Sequence, residues 1–124
     1  MPLPDQPELV DVVPGYIYPQ TFSLLSEAII NAAANGDNLV VAATGGQTIR
    51  VYKMFLFIAA ATTITVKDGA GGAALTGAMA FPANYSWTLD FDGAPWFTTS
   101  AGNAFNINTN GANQMSGRLF YKKD

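Results

Sequence analysis

Residues 47–69 read QTIRVYKMFLFIAAATTITVKDG, and this stretch decides the fold. In its second half Ile64 and Val66 alternate with Thr63, Thr65 and Lys67. A period of two marks a half-buried strand, because successive side chains leave a pleated backbone on opposite faces. The first half begins alike, with Ile49 and Val51 opposed to Thr48, Arg50 and Tyr52. From Met54 to Ile58 it is apolar on both faces, as a strand covered on both sides would be. Small residues at 59–61 allow a turn, so the two halves are expected to form a hairpin. Lys53 falls on the side that should be buried, which calls for a bulge or a change of face near it. A helix needs an apolar stripe every three to four residues, and Thr-Thr-Ile-Thr-Val offers none.

Outward from this stretch, the same grammar repeats. Residues 85–92 alternate, with Tyr85, Trp87, Leu89 and Phe91 expected inward and Ser86, Thr88, Asp90 and Asp92 outward. Residues 104–109 put Phe105 and Ile107 on one face and Asn106 and Asn108 on the other, and a hairpin-type turn at 110–113 follows. The last strand, about 114–122, aligns Met115, Leu119 and Tyr121. Upstream, Phe22, Leu25, Ile29 and Ala32 permit a short helix, but a strand near 28–33, paired through the turn at 35–38, explains the spacing better. Leu39 to Ala43 reads as its partner, and residues 73–80 as a strand of small residues. Roughly eight or nine short antiparallel strands punctuated by Gly, Asn and Asp define an all-β chain, a single sandwich of jelly-roll type. The sandwich is expected over 21–124.

Residues 1–20 differ in kind. They hold five of the seven prolines, with Asp5, Glu8 and Asp11, and neither Lys nor Arg occurs before Arg50. Proline donates no ladder hydrogen bond and biases its neighbours to extended conformations, so this segment reads as an extended arm. Leu9, Val10, Val12, Val13, Tyr16, Ile17 and Tyr18 make it too apolar for a solvated tail. It is expected to order against a neighbouring subunit, and the basic partners such an acidic arm needs are sought in Arg50 and Lys53.

Composition narrows the function. With 124 residues and 13.1 kDa the chain makes one domain. Only 12% of residues are charged against 49% hydrophobic, whereas an ordinary soluble domain carries about 25% charged residues. Such a chain hides surface against other chains, and a homo-oligomer is expected. The net charge of −3 argues against nucleic acid, and no apolar run reaches membrane-spanning length. No basic region followed by an apolar run opens the sequence, so no secretory signal is expected.

The absence of Cys and His removes thiolate nucleophiles, the usual general base and the commonest metal ligands. The glycine-rich stretch 68–72 lacks the following helix and the Lys-Ser/Thr pair of a phosphate loop. Asp90 and Asp92, two apart on one face, supply too few oxygens for a calcium site, and neighbours on one strand do not face each other across a cleft as a glycosidase pair does. No catalytic, cofactor or metal residue is therefore assigned. Trp96, beside Pro95, is the aromatic most suited to exposure, with Trp87 and Tyr85 on the core side.

From about Ile29 onward the chain resembles the small β-sandwich structural proteins of tailed phages and prophages. The resemblance rests on Asn35-Gly36-Asp37-Asn38 with Leu39-Val40-Val41-Ala42-Ala43, on Thr48-Ile49-Arg50-Val51, and on Thr63-Ile64-Thr65-Val66-Lys67. It continues in Ala74-Leu75-Thr76-Gly77-Ala78-Met79 and in residues 96–108, WFTTSAGNAFNIN, and closes with Ser116-Gly117-Arg118-Leu119-Phe120-Tyr121. It implies a capsid decoration (cement) protein, oligomeric and often trimeric, bound to the major capsid protein on the virion surface after synthesis in the host cytoplasm. The family has no catalytic residues to transfer, and residues 1–20 lie outside the match. The alternative is a tail- or fibre-associated module that binds host glycans through Trp96 and nearby Asn and Thr side chains.

Overall fold

A computed structural model describes residues 25–124. The contacts expected of Leu9, Val10, Val12, Val13, Tyr16, Ile17 and Tyr18 lie outside the described residues. Ten strands follow in order: β1 Ser26–Ala32, β2 Gly36–Val41, β3 Ile49–Ile58, β4 Thr62–Asp68, β5 Ala73–Ala74, β6 Met79–Phe81, β7 Tyr85–Leu89, β8 Phe97–Thr98, β9 Phe105–Thr109 and β10 Met115–Lys123. They form two antiparallel sheets. The first runs β1-β10-β3-β7, with β8 also on β3; the second runs β2-β9-β4-β5, with β6 also on β4. The architecture is a β-sandwich, as the alternation requires.

Between the sheets lies one core. Ile30, Ile49, Val51, Met54, Leu56, Ile58, Met115 and Leu119 enter it from the first sheet, and Val41, Ile64, Val66, Phe105 and Ile107 from the second. All are nearly or fully buried. Trp87, Leu89, Phe97 and Tyr121 pack around them. Phe97 and Phe105 bridge the layers with ring centroids 5.7 Å apart. The alternations in β4, β9 and β10 fall as expected, and 26–32 is a strand rather than a helix.

Three expected hairpins are instead crossings between sheets. β3 pairs with β10, β7 and β8, while β4 pairs with β9, β5 and β6, so the strands of 47–69 face each other across the core. Likewise β1 pairs with β10 rather than β2, and β9 pairs with β2 and β4 rather than β10. The cause lies in the core-facing residues. Each pair of neighbouring strands offers one apolar face, and two such faces are better buried by stacking about 10 Å apart than by lying side by side. The turn residues then pin the crossings. Asn38 Oδ1 accepts from Ala34 N–H at 3.2 Å, and Asn38 Nδ2 donates to Ala34 C=O at 3.0 Å. Asn110 Oδ1 accepts from Thr62 Oγ1 at 3.1 Å and Thr63 N at 3.0 Å.

The bulge expected near Lys53 is present. Phe120 pairs with Lys53 and Tyr121 with Val51, so Tyr52 is the extra residue in β3. It lets Val51 and Met54 both face the core while Lys53 is kept out of it. Residues 73–80 form two short pieces, β5 and β6, rather than one strand. β2 begins at Gly36, inside the expected turn; Gly36 takes a φ of 93°, which glycine adopts without strain.

Candidate functional site: the outer face of the first sheet

Alternation that fills the core from one side of β3 must point Phe55 and Phe57 away from it. They are 47% and 41% exposed, so β3 is covered on its inner face only, against the expectation of cover on both. Ile29 of β1 joins them at 71% exposed. Cross-strand pairing sets these residues in rows, since directly opposed side chains share a face. One row is Ile29, Arg118, Phe55 and Thr88; the next is Asn31, Ser116, Phe57 and Ser86. A shallow depression lies over the face, lined by Ile29, Lys53, Phe55, Gly117, Arg118 and Phe120. Exposed Leu or Ile side chains scattered singly are ordinary, but an apolar group held in register on one sheet marks an interaction surface.

Cations surround this apolar patch. Lys53 sits over the Phe120 ring, 5.8 Å from its centroid. Arg118 pairs with Glu27 at 2.7 Å, and Arg50 with Asp124 of the same chain at 3.0 Å. Lys122 is opposite Arg50 and shares its side of the sheet. Both ion pairs are solvent-exposed and stabilise by about 0–1 kcal/mol each. Arg50 and Lys53, selected from sequence, thus border one surface; Arg50 already has a carboxylate partner. Ile29, Phe55 and Phe57 were missed as site residues. For Phe55 and Phe57 the signal was the two-sided apolar run of β3, which reads as cover on both faces; Ile29 lies in β1, outside that run.

Elsewhere two carboxylates are held by hydrogen bonds that serve the fold. At the end of β4, Asp68 accepts from Ser100 N at 2.9 Å, Ser100 Oγ at 2.6 Å and Asn103 Nδ2 at 3.1 Å. Burial pushes the Asp68 carboxyl up, but those hydrogen bonds outweigh it and hold the group below the usual carboxylate range. Asp37 accepts from Asn108 Nδ2 at 2.8 Å and Gly71 N at 2.6 Å. These bonds, helped by Lys67 and opposed by burial, lower its pKa too. The glycine-rich stretch is therefore a β4–β5 turn clamped by Asp37. One buried acceptor, Asn106 Oδ1, has no partner among the described residues.

Among the described residues no three His, Cys, Asp or Glu side chains gather as a metal site. Asp90 and Asp92 are exposed, and Asp90 contributes its backbone carbonyl to the Trp96 indole N–H at 2.8 Å. Trp96 is 45% exposed, as its position beside Pro95 suggested. Tyr85, expected inward, is 41% exposed at the sheet edge, where its ring meets Phe81 at 5.3 Å. Trp87 also packs against Phe81, with ring centroids 5.2 Å apart. Compared with known families, curated proteins and solved structures, the chain matches none.

Proposed function

We propose that this β-sandwich is a virion structural protein, a decoration (cement) protein that seats on the major capsid protein lattice of a tailed phage and stabilises the head as a trimer. The observation that carries this reading is the outer face of the first sheet, where Ile29, Phe55 and Phe57 stand in register among Lys53, Arg118 and Arg50. The low charge content and the sequence resemblance support it.

Magnitudes favour an oligomer over single subunits. Burying the exposed parts of Ile29, Phe55 and Phe57 (71%, 47% and 41%) contributes about 3 kcal/mol, and a matching partner surface about as much again. Docking one free subunit costs about 4–15 kcal/mol in lost translation and rotation. One such face therefore binds weakly at best or falls short. Three faces on one assembly bind with avidity, because the second and third contacts are intramolecular. Imaging the particle whose genome encodes the chain tests this: density for the sandwich on the shell, three copies to a cluster, is the expected result. Density confined to the tail would favour glycan binding through exposed Trp96, to be checked on a glycan array.

A further inference from the structure

Asn is followed by Gly at two places in the chain, 35–36 and 110–111, and the fold treats the two steps differently. We infer that Asn35 is a site of spontaneous covalent modification, converting to aspartate and isoaspartate in the folded protein, while the fold protects Asn110. The inference stands apart from the proposed function, since it needs neither a partner nor an assembly.

The chemistry is intramolecular. Hydroxide takes the proton from the Gly36 amide, and the nitrogen attacks Cγ of Asn35. A C–N bond forms, the side-chain nitrogen leaves as ammonia after taking a proton from water, and a five-membered succinimide remains. Water then adds to either ring carbonyl. One opening restores the original backbone as aspartate; the other routes the backbone through the side chain as isoaspartate. The net reaction turns an amide and water into a carboxylate and ammonium. Glycine favours the attack, because it sets no Cβ beside the nucleophilic nitrogen and leaves the backbone free to reach the ring geometry. Both steps carry Gly in second place, so the sequence alone marks them equally.

The structure separates them. Asn110 is tied down: its Oδ1 accepts from Thr62 Oγ1 at 3.1 Å and Thr63 N at 3.0 Å, and its own N–H donates to the Thr63 carbonyl at 3.3 Å. The Gly111 carbonyl beyond it accepts from Thr109 Oγ1 and Asn113 N–H, each at 2.9 Å. Two bonds must break before Cγ of Asn110 can turn to the Gly111 nitrogen. Asn35 lies exposed in the bend between β1 and β2, and its side chain forms no hydrogen bond among the described residues. Asn38 holds the residues on either side, Ala34 by both backbone groups and Gly36 by its carbonyl, and leaves the Asn35 side chain free to rotate. Gly36 is the first rung of edge strand β2, opposite Thr109, and the end of an edge ladder opens at little cost. Each conversion sets a carboxylate two residues before Asp37, whose own carboxylate accepts from Gly71 and Asn108. It takes the net charge from −3 to −4 and opposes that clamp by like-charge repulsion.

Peptide mapping by mass spectrometry tests this on the full-length protein, incubated in mildly alkaline buffer at physiological temperature. Conversion is read as the exchange of NH2 for OH, and fragmentation assigns its position. In the folded protein Asn35 should convert at least fivefold faster than Asn110. In guanidinium chloride, where both steps are released, the two rates should agree within twofold. Asn35→Gln, at an exposed position, should abolish the fast conversion. Thr62→Val removes one bond to Asn110 Oδ1 and should raise the rate at Asn110 while leaving Asn35 unchanged; an unaltered rate at Asn110 would refute the protection. Conversion of Asn110 as fast as Asn35 in the folded protein would overturn the inference. So would an inert Asn35 in the folded protein when the unfolded chain reacts, or a rate ratio unchanged by unfolding.

Discussion

Replacing Asp68 by Ala should expose how strongly one carboxylate ties the sandwich together. Asp68 ends β4 at 8% exposure and receives three hydrogen bonds, at 2.6, 2.9 and 3.1 Å, from Ser100 and Asn103 in the loop between β8 and β9. A hydrogen bond to a charged group contributes about 1.5–3 kcal/mol. Ser100 is exposed, so water replaces part of what is lost, and the summed cost falls to about 3 kcal/mol. For a domain of this size that lowers Tm by about 12–24 °C in a calorimetric scan at pH 7. Asp68→Asn keeps one carbonyl acceptor and should cost about half as much.

The pH dependence has a fixed sign. The folded pKa of Asp68 lies below its unfolded value, so its contribution is complete above the ordinary aspartate value of about 3.9 and is lost as pH falls through the folded value. Below that range the wild type and Asp68→Asn should converge in stability. An Asp68→Ala protein melting within 2–3 °C of wild type, on a scale of about 4–8 °C per kcal/mol, would refute the reasoning.

Other substitutions probe separate features. Gly117→Ala places a Cβ against the backbone carbonyl of Phe55, which cannot swing aside, and should destabilise by about 2 kcal/mol or more in urea unfolding. Asn106→Leu removes the unpartnered buried acceptor and should leave stability unchanged or raise it by about 1 kcal/mol in the same assay. A large loss there would mean that Oδ1 is satisfied.

The strands and their facing were legible because alternation is a local property: Thr63 to Lys67 and Phe105 to Asn108 report it directly. Even the bulge at Tyr52 could be anticipated, since Lys53 broke the pattern. Pairing was not legible. The turn chemistry at 35–38, 59–61 and 110–113 is equally suited to a hairpin or a crossing, and the choice depends on which distant strands bury the two apolar faces. The candidate site was half legible. Arg50 and Lys53 stood out as charges in an acidic chain, whereas Phe55 and Phe57 looked like core. A run apolar on both sides has the same sequence whether its second face meets the protein interior or solvent.

Attachment of a Phe55→Thr, Phe57→Thr double variant to expanded capsids, measured by co-sedimentation against the wild type, tests the role of the outer face most directly. Thr keeps strand propensity, and both positions are exposed, so the fold should melt within a few degrees of wild type. Binding weakened tenfold or more is the expected result. Wild-type attachment by the double variant would contradict the claim that this face does the docking.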